Sequence, residues 1–315
     1  MKKPVTLYIL LLALSIGVLF LLNLFLGSVD IPFRSIWNIL WGMDEGESVI
    51  WQNIIWKSRV PQAFTAMVAG AGLAVSGLQM QTVFRNPLAG PSVLGISSGA
   101  SLGVAFVVLL SGSIGGIALS RLGFMGEIAL TMAAIIGALS IMALIVYVSQ
   151  KVHGNVTLLI IGVMIGYVAN AVIGVLKFFS VEEDIRAYVI WGLGSFSRVS
   201  GNQMMLFVTL MAILLPLSFL LIKTLNLMLL GDGYARNLGL NIKRARLLVI
   251  VSAGVLTAIV TAYCGPIIFL GLAVPHLARA MFQTSDHRTL MPATLLLGAA
   301  LALICNLLAR MPGFE

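Results

Sequence analysis

The sequence predicts an all-α fold class, a polytopic transmembrane helix bundle of about nine spans that forms one domain over residues 1–315. Composition is the first observation behind this. The chain is 60% hydrophobic and only 10% charged, whereas a soluble domain carries about 25% charged residues. With so little charge it cannot clothe a water-facing surface, and its mean hydropathy is +1.07. The second observation is a series of apolar runs, each near the length of about 20 residues that crosses the hydrocarbon core as a helix. The third is that the basic residues gather in the breaks between those runs.

Taken in order, the expected spans are 5–27, 61–84, 93–111, 126–149, 156–179, 203–223, 245–264, a short broken pair around 266–281, and 290–309. The first follows Met1-Lys2-Lys3 and is too long for the apolar core of a cleaved signal, so it reads as a retained helix. In the second, Ala66, Gly70, Ala74 and Gly77 leave a stripe almost free of side-chain bulk. Such a stripe suits close approach of another helix, or a pathway-lining face on which Gln79 and Gln81 would meet water. Gly95, Gly99 and Gly103 form a similar stripe in the third. The broken pair, with Pro266, Gly271 and Pro275, suggests a half-helix held among others.

The connections alternate in charge. One set carries eleven of the nineteen basic residues and only Asp232 and Asp286 of the eleven acids. The positive-inside bias assigns that set, and the N-terminus, to the cytoplasm. The formal charge of +8 is therefore a membrane signature and implies no nucleic-acid partner. The outer segments hold Asp44, Glu45 and Glu47, and an amphipathic stretch from Val181 whose Tyr188 and Trp191 read as interface anchors. Cys264 and Cys305 lie in apolar segments and read as small buried hydrophobes.

Two polar segments carry the functional reading. Between Lys223 and Arg246, Gly231, Gly233 and Gly239 punctuate a short helix, Tyr234 to Leu238, with Asp232 placed to cap its first turn. Such an element is either a docking surface for a soluble partner or an ordinary basic loop. From Arg85 to Ser101, Asn86-Pro87 ends the second span, and irregular backbone at a membrane boundary must be covered by protein or water. No phosphate-binding G-x-x-x-x-G-K-[ST] loop occurs, so ATP hydrolysis by that machinery is not expected here. The three histidines, His153, His276 and His287, lack metal-ligand spacing. Gly95-Ile-Ser-Ser-Gly99 matches a nucleophile-elbow pattern only by chance, because that motif needs a sheet beneath it. Almost no ionisable residue falls deep in a span, which argues for an external energy source over a proton-coupled carrier.

The stretches GAGLAVSGLQMQTVFRNPLAGPSVLGISSGASLG, GDGYARNLGLN and GPIIFLGLAVPHLARAMFQTSDHRTLMPATLLLGA together resemble the bacterial permease family that imports iron–siderophore chelates, haem and vitamin B12 under ATP-binding-cassette (ABC) drive. The resemblance covers nearly the whole chain. It implies a permease with no catalysis or metal site of its own and no cofactor, ATP being bound by a partner subunit. It also implies a homodimer with a second copy, two cytoplasmic ATPase subunits, an extracytoplasmic substrate-binding protein and surrounding lipid. The ATPase-coupling residues it implies are Gly231, Asp232, Tyr234, Ala235, Arg236, Leu238 and Gly239. Gln79, Asn86, Pro87, Leu88, Gly154 and Asn155 would lie at the gate or pathway. Lys57, Arg59 and Arg310 would dock the binding protein, although Gln62 replaces the second arginine of the family's R-[LI]-P-R pattern. The family has ten helices, and the chain stops at Arg310-Met-Pro-Gly-Phe-Glu315, so a final helix is expected beyond that point.

Overall fold

The computed structural model describes residues 5–43, 46, 48–115, 123–152, 154–199 and 201–311, without the side chains of residues 111–115, 123, 124, 155 and 202. Lys2, Lys3, Asp44, Glu45, Glu47, His153 and the segment 312–315 lie outside the described residues. The regular elements are helices: α1 (Val5–Phe25), α2 (Phe33–Leu40), α3 (Val49–Ile54), α4 (Val60–Phe84), α5 (Ile96–Gly115), α6 (Gly123–Lys151), α7 (Asn155–Phe178), α8 (Glu182–Gly192), α9 (Gly201–Phe219), α10 (Ile222–Leu229), α11 (Asp232–Asn237), α12 (Ile242–Cys264), α13 (Leu270–Phe282) and α14 (His287–Leu308).

Among the described residues, six helices are long and apolar enough to cross a membrane, or seven if α9 and α10, bent by 45°, count as one. The other two of the nine expected spans fall on shorter apolar helices, Ile96–Leu110 and Leu270–Phe282. At 1.5 Å per residue α13 reaches only about 20 Å, short of a hydrocarbon core of about 30 Å. It is the half-helix that its flanking Pro266 and internal Pro275 announce.

α4 is the axis of the bundle. Of its most apolar window 83% is buried, against 6% for α1, which lies at the periphery. The small-residue stripe explains why. A Cβ on Gly70 would stand 2.3 Å from the Gly298 carbonyl oxygen of α14, and one on Gly77 would stand 1.7 Å from that of Gly271 in α13. Backbones meet there without side chains between them. Gly99 and Gly103 of α5 likewise meet the carbonyls of Gly137 and Ala133 in α6. Polar side chains then fasten the packed faces. Ser76 donates to the Ala253 carbonyl at 2.8 Å, and Asn306 Nδ2 donates to Asn23 Oδ1 at 2.8 Å, joining α14 to α1. Interhelical bonds of this kind are worth roughly 0.6 kcal/mol each in a membrane.

α3, a π-helical turn over Ile55–Arg59 and α4 run on as one helix. Pro61 supplies the reason, because it has no N–H to give the carbonyl four residues back and its ring crowds that carbonyl. Widening the preceding turn relieves both problems.

Two expectations are corrected here. Tyr188 and Trp191 are not interface anchors: they are buried, and α8 turns them inward against α5 while Val189, Ile190 and Leu193 face out. Amphipathicity alone does not say whether the apolar face meets lipid or protein. Cys305 is exposed, unlike the buried Cys264.

Candidate functional site at the two ends of α4

The first end of α4 is built around Arg59. Its side chain is only 1% exposed. Nη1 donates to the carbonyls of Leu24 at 2.7 Å and Phe25 at 3.0 Å, and Nη2 donates to that of Val29. The Leu24 and Phe25 carbonyls end α1 and have no intrahelical donor, and Val29 lies in the segment that follows. A cation is also favoured at a helix C-terminus. Arg310 lies alongside: a Cβ on Gly27 would be 2.9 Å from Arg310 Nη2 and 3.2 Å from Arg59 Nη2. Arg310 Nη1 donates to the Asn23 carbonyl at 3.3 Å. Burial, then the like charge of Arg59, push the pKa of Arg310 down from the usual guanidinium value.

Arg59, expected to dock the binding protein, is turned inward in this chain. It caps α1 from inside, because a buried guanidinium with three carbonyl acceptors is not free to meet an approaching protein. Arg310 is half-buried and Lys57 exposed. A cleft of about 960 Å³ opens at this end, lined by Gln62, Phe196, Phe269, Asn306 and Arg310 among others. Replacing Arg59 by leucine is expected to cost about 3 kcal/mol, because it leaves buried carbonyl acceptors unsatisfied at about 1–3 kcal/mol each. A thermal melt of the detergent-solubilised protein checks this, with Lys57→Leu expected to melt as the wild type does.

The other end of α4 gathers most of the remaining predicted residues. α4 stops at Arg85, whose backbone is left-handed at φ 49°, while the Asn86 N–H returns to the Gln81 carbonyl at 3.2 Å. Glycine usually fills this cap position, and a residue with a Cβ pays about 1–2 kcal/mol there. Asn86 folds the loop with its own side chain, accepting from the Leu88 N–H at 2.9 Å. This turn leaves Leu88 68% exposed and Ala89 buried. α7 begins at the left-handed Gly154 (φ 115°) and packs on the turn Pro91–Leu94 that follows the loop, with Gly162 against Leu94.

α11 sits beside this loop. Its N-cap is Gly231 (φ 98°), with no side-chain cap. The expected capping role of Asp232 is thus corrected: its carboxylate turns away to accept from Arg85 Nη2 at 2.5 Å and Arg246 Nη2 at 3.5 Å. Arg85 Nη2 also donates to the Met228 carbonyl of α10 at 3.3 Å. Ala235 is fully buried, while Tyr234 (73%) and Leu238 (61%) project outward one turn apart, and Gly239 (φ 85°) ends the element. Arg236 is exposed.

Gln79 does not line an open path within this chain. It is 0% exposed and donates to Ser252 Oγ at 3.1 Å across the α4–α12 contact. Gln81, expected to meet water, is buried instead, while Asn226 and Thr82 at this end were not singled out by sequence. Gln81 joins α4 to α13, donating to the Leu272 carbonyl at 3.0 Å and accepting from Arg279. Asn226 Oδ1 accepts the His287 backbone N–H at 2.9 Å and the ring Nδ1–H at 2.8 Å, and His287 Nε2 lies 2.9 Å from Thr82 Oγ1. Asp286 caps α14 through the Arg288 N–H. That bond, with the one from Asn226, holds its carboxyl below the usual carboxylate range. Asp232 and Asp286 at this end each accept from two partners.

The chain matches the FecCD transport family model over residues 13–313. It is 36% identical over 286 residues to the hemin transport system permease protein HmuU of Yersinia pestis, covering 90% of this chain and 81% of that protein. It is also 36% identical over 304 residues to the vitamin B12 import system permease protein BtuC of Serratia proteamaculans, covering 96% and 84%. Among solved structures, an inward-facing conformation of a metal-chelate type ABC transporter superposes with a TM-score of 0.80 at 28% identity, over 96% of this chain and 90% of that one. With the helical bundle and the exposed short helix already described, these matches establish that the chain belongs to the FecCD transport family, as a permease subunit of an ABC importer that leaves ATP hydrolysis to a separate subunit.

Proposed function

We propose that the chain moves a large metal chelate of the haem, cobalamin or siderophore class across the bacterial inner membrane, along a path shared with a second copy of itself. The observation that carries the pairing is the packing of α4. Among the described residues the axis of the bundle is dry and closed, with Gln79 shut between α4 and α12, so a chelate has no route through one chain. The second copy supplies the other wall. Two ATPase subunits drive the pair from the cytoplasmic side, where Tyr234 and Leu238 are exposed on α11. The clustering of Arg85, Lys223, Arg236, Lys243, Arg244, Arg246, Arg279 and Arg288 supports that side as cytoplasmic. Lys57 and Arg310 at the opposite end receive the substrate-binding protein, and selection among chelates rests mainly with that partner.

A pull-down of the tagged, detergent-solubilised chain from its native host tests this reading. A co-purifying soluble ATPase is expected, and it should be lost when Asp232-Gly-Tyr-Ala-Arg236 is replaced. Uptake of haemin, cyanocobalamin or a ferric siderophore by cells should likewise stop on deleting Tyr234 to Gly239. A self-sufficient carrier would instead purify without an ATPase and keep its transport.

A further inference from the structure

α11 reaches the rest of the molecule through very little. Its outward face is exposed, its inward face is Ala235, and among the described residues its ion pairs run through Asp232. Of the two guanidiniums on that carboxylate, Arg246 belongs to α12, which follows α11 directly in sequence. Arg85 comes from 147 residues away in the chain. It is the C-cap of the buried axial helix and immediately precedes the Asn86-Pro87-Leu88 loop.

We infer that Arg85 is a positioning residue that hands movement of α11 to the end of α4 and to the loop beside it. The inference rests on the reading of α11 as the ATPase-facing helix. Three features of the site carry it. Arg85 Nη2 bonds the first residue of α11 and the Met228 carbonyl of α10, so one guanidinium straddles the joint between those helices. The backbone at Arg85 is left-handed, one of only two non-glycine positions of that kind among the described residues. Glycine would fit that backbone without strain but could not reach Asp232, so the side chain there serves something beyond ending the helix. The side chains of Arg85 and Asp232 are each 42% exposed. A pair that open to water adds little to stability, so it can be removed without unfolding the bundle, and its use lies in geometry.

A substrate-independent assay reads the transfer. In a Cys305→Ala background, Leu88→Cys reports accessibility of the loop to a water-soluble maleimide, and the complex with its ATPase is compared with and without ATP and vanadate. The wild-type linkage is expected to give a nucleotide-dependent change in labelling rate. Arg85→Gln and Asp232→Asn are each expected to shrink that change by about five-fold or more, the effect of losing roughly one bonded contact. Arg85→Gln, which lies outside α11, should still bind the ATPase and hydrolyse ATP. The double variant should match the single ones, because both act through one bridge, and Arg85→Lys should fall between. Unchanged labelling in the variants, or an additive double variant, overturns the inference. Loss of ATPase binding in Arg85→Gln also overturns it, by making the residue an assembly contact. A wild-type chain that captures no ATPase removes the importer reading itself, and the inference with it.

Discussion

Replacing Gly77 by valine is expected to abolish recovery of folded protein, and even alanine there should lower the melting temperature sharply. A Cβ at this position would stand 1.7 Å from the Gly271 carbonyl oxygen, 2.5 Å from its carbon and 2.9 Å from its Cα. All three are backbone atoms, so no rotamer change can make room, and α13 must move away from α4. Overpacking in a core typically costs 1–3 kcal/mol, and a backbone-on-backbone contact belongs at about the upper end or beyond it. α13 has little to resist with: it is a half-helix, its N-terminal approach carries Pro266, and Gly271 is itself wedged against Pro91. Gly17 in α1 is the control, with nothing within 4 Å of its virtual Cβ. Gly17→Ala should fold normally and gain up to about 1 kcal/mol of helix propensity. Size-exclusion recovery and thermal melts in one detergent give the comparison. A Gly77→Val protein that melts like the wild type would mean that α4 and α13 do not meet through bare backbone.

The contrast between these glycines shows what the sequence disclosed. Apolar run length and spacing gave the helices, because crossing a membrane imposes a length that composition cannot hide. The small-residue stripes gave close packing, because four-residue spacing puts Gly70, Ala74 and their neighbours on one face. What stayed hidden depends on long-range pairing. Nothing local marks Arg59 as the cap of a helix that ended at Phe25, or Arg85 as the partner of Asp232. The same residue types at span ends serve equally well as lipid-boundary charges. Tyr188 and Trp191 went astray for a related reason, since an aromatic beside a span reads alike whether lipid or α5 covers it. The segment Gly231 to Gly239 was legible as an element because the glycines at its two ends hold left-handed backbone, although Gly233 lies inside α11 and does not break it. The direction in which its carboxylate turned was not.

Introducing aspartate at both Tyr234 and Leu238 is expected to weaken capture of the partner ATPase by about 30-fold or more, the scale of losing a two-kcal/mol interface anchor. These side chains sit four residues apart, Tyr234 on α11 and Leu238 at its C-cap, and both are mostly exposed. An aromatic and an aliphatic group held clear of the bundle on one short helix make a compact apolar knob for a partner's pocket. Placing two carboxylates there forces their desolvation on binding. Within the chain the change is mild, because neither side chain packs in the core and Ala235, the residue that does, is untouched. Melting temperature and detergent elution should therefore match the wild type while ATPase recovery and uptake fall together. Ala235→Asp is the opposite case: it buries a carboxylate with no partner at a fully buried position, so loss of the fold of α11 should precede any loss of binding. If the double aspartate variant retained its ATPase, the contact would have to lie elsewhere on this end, with the exposed Leu229 and Leu230 of the α10–α11 junction next in line. The same α11 would then be a spacer between α10 and α12 and no longer the surface on which the importer is driven.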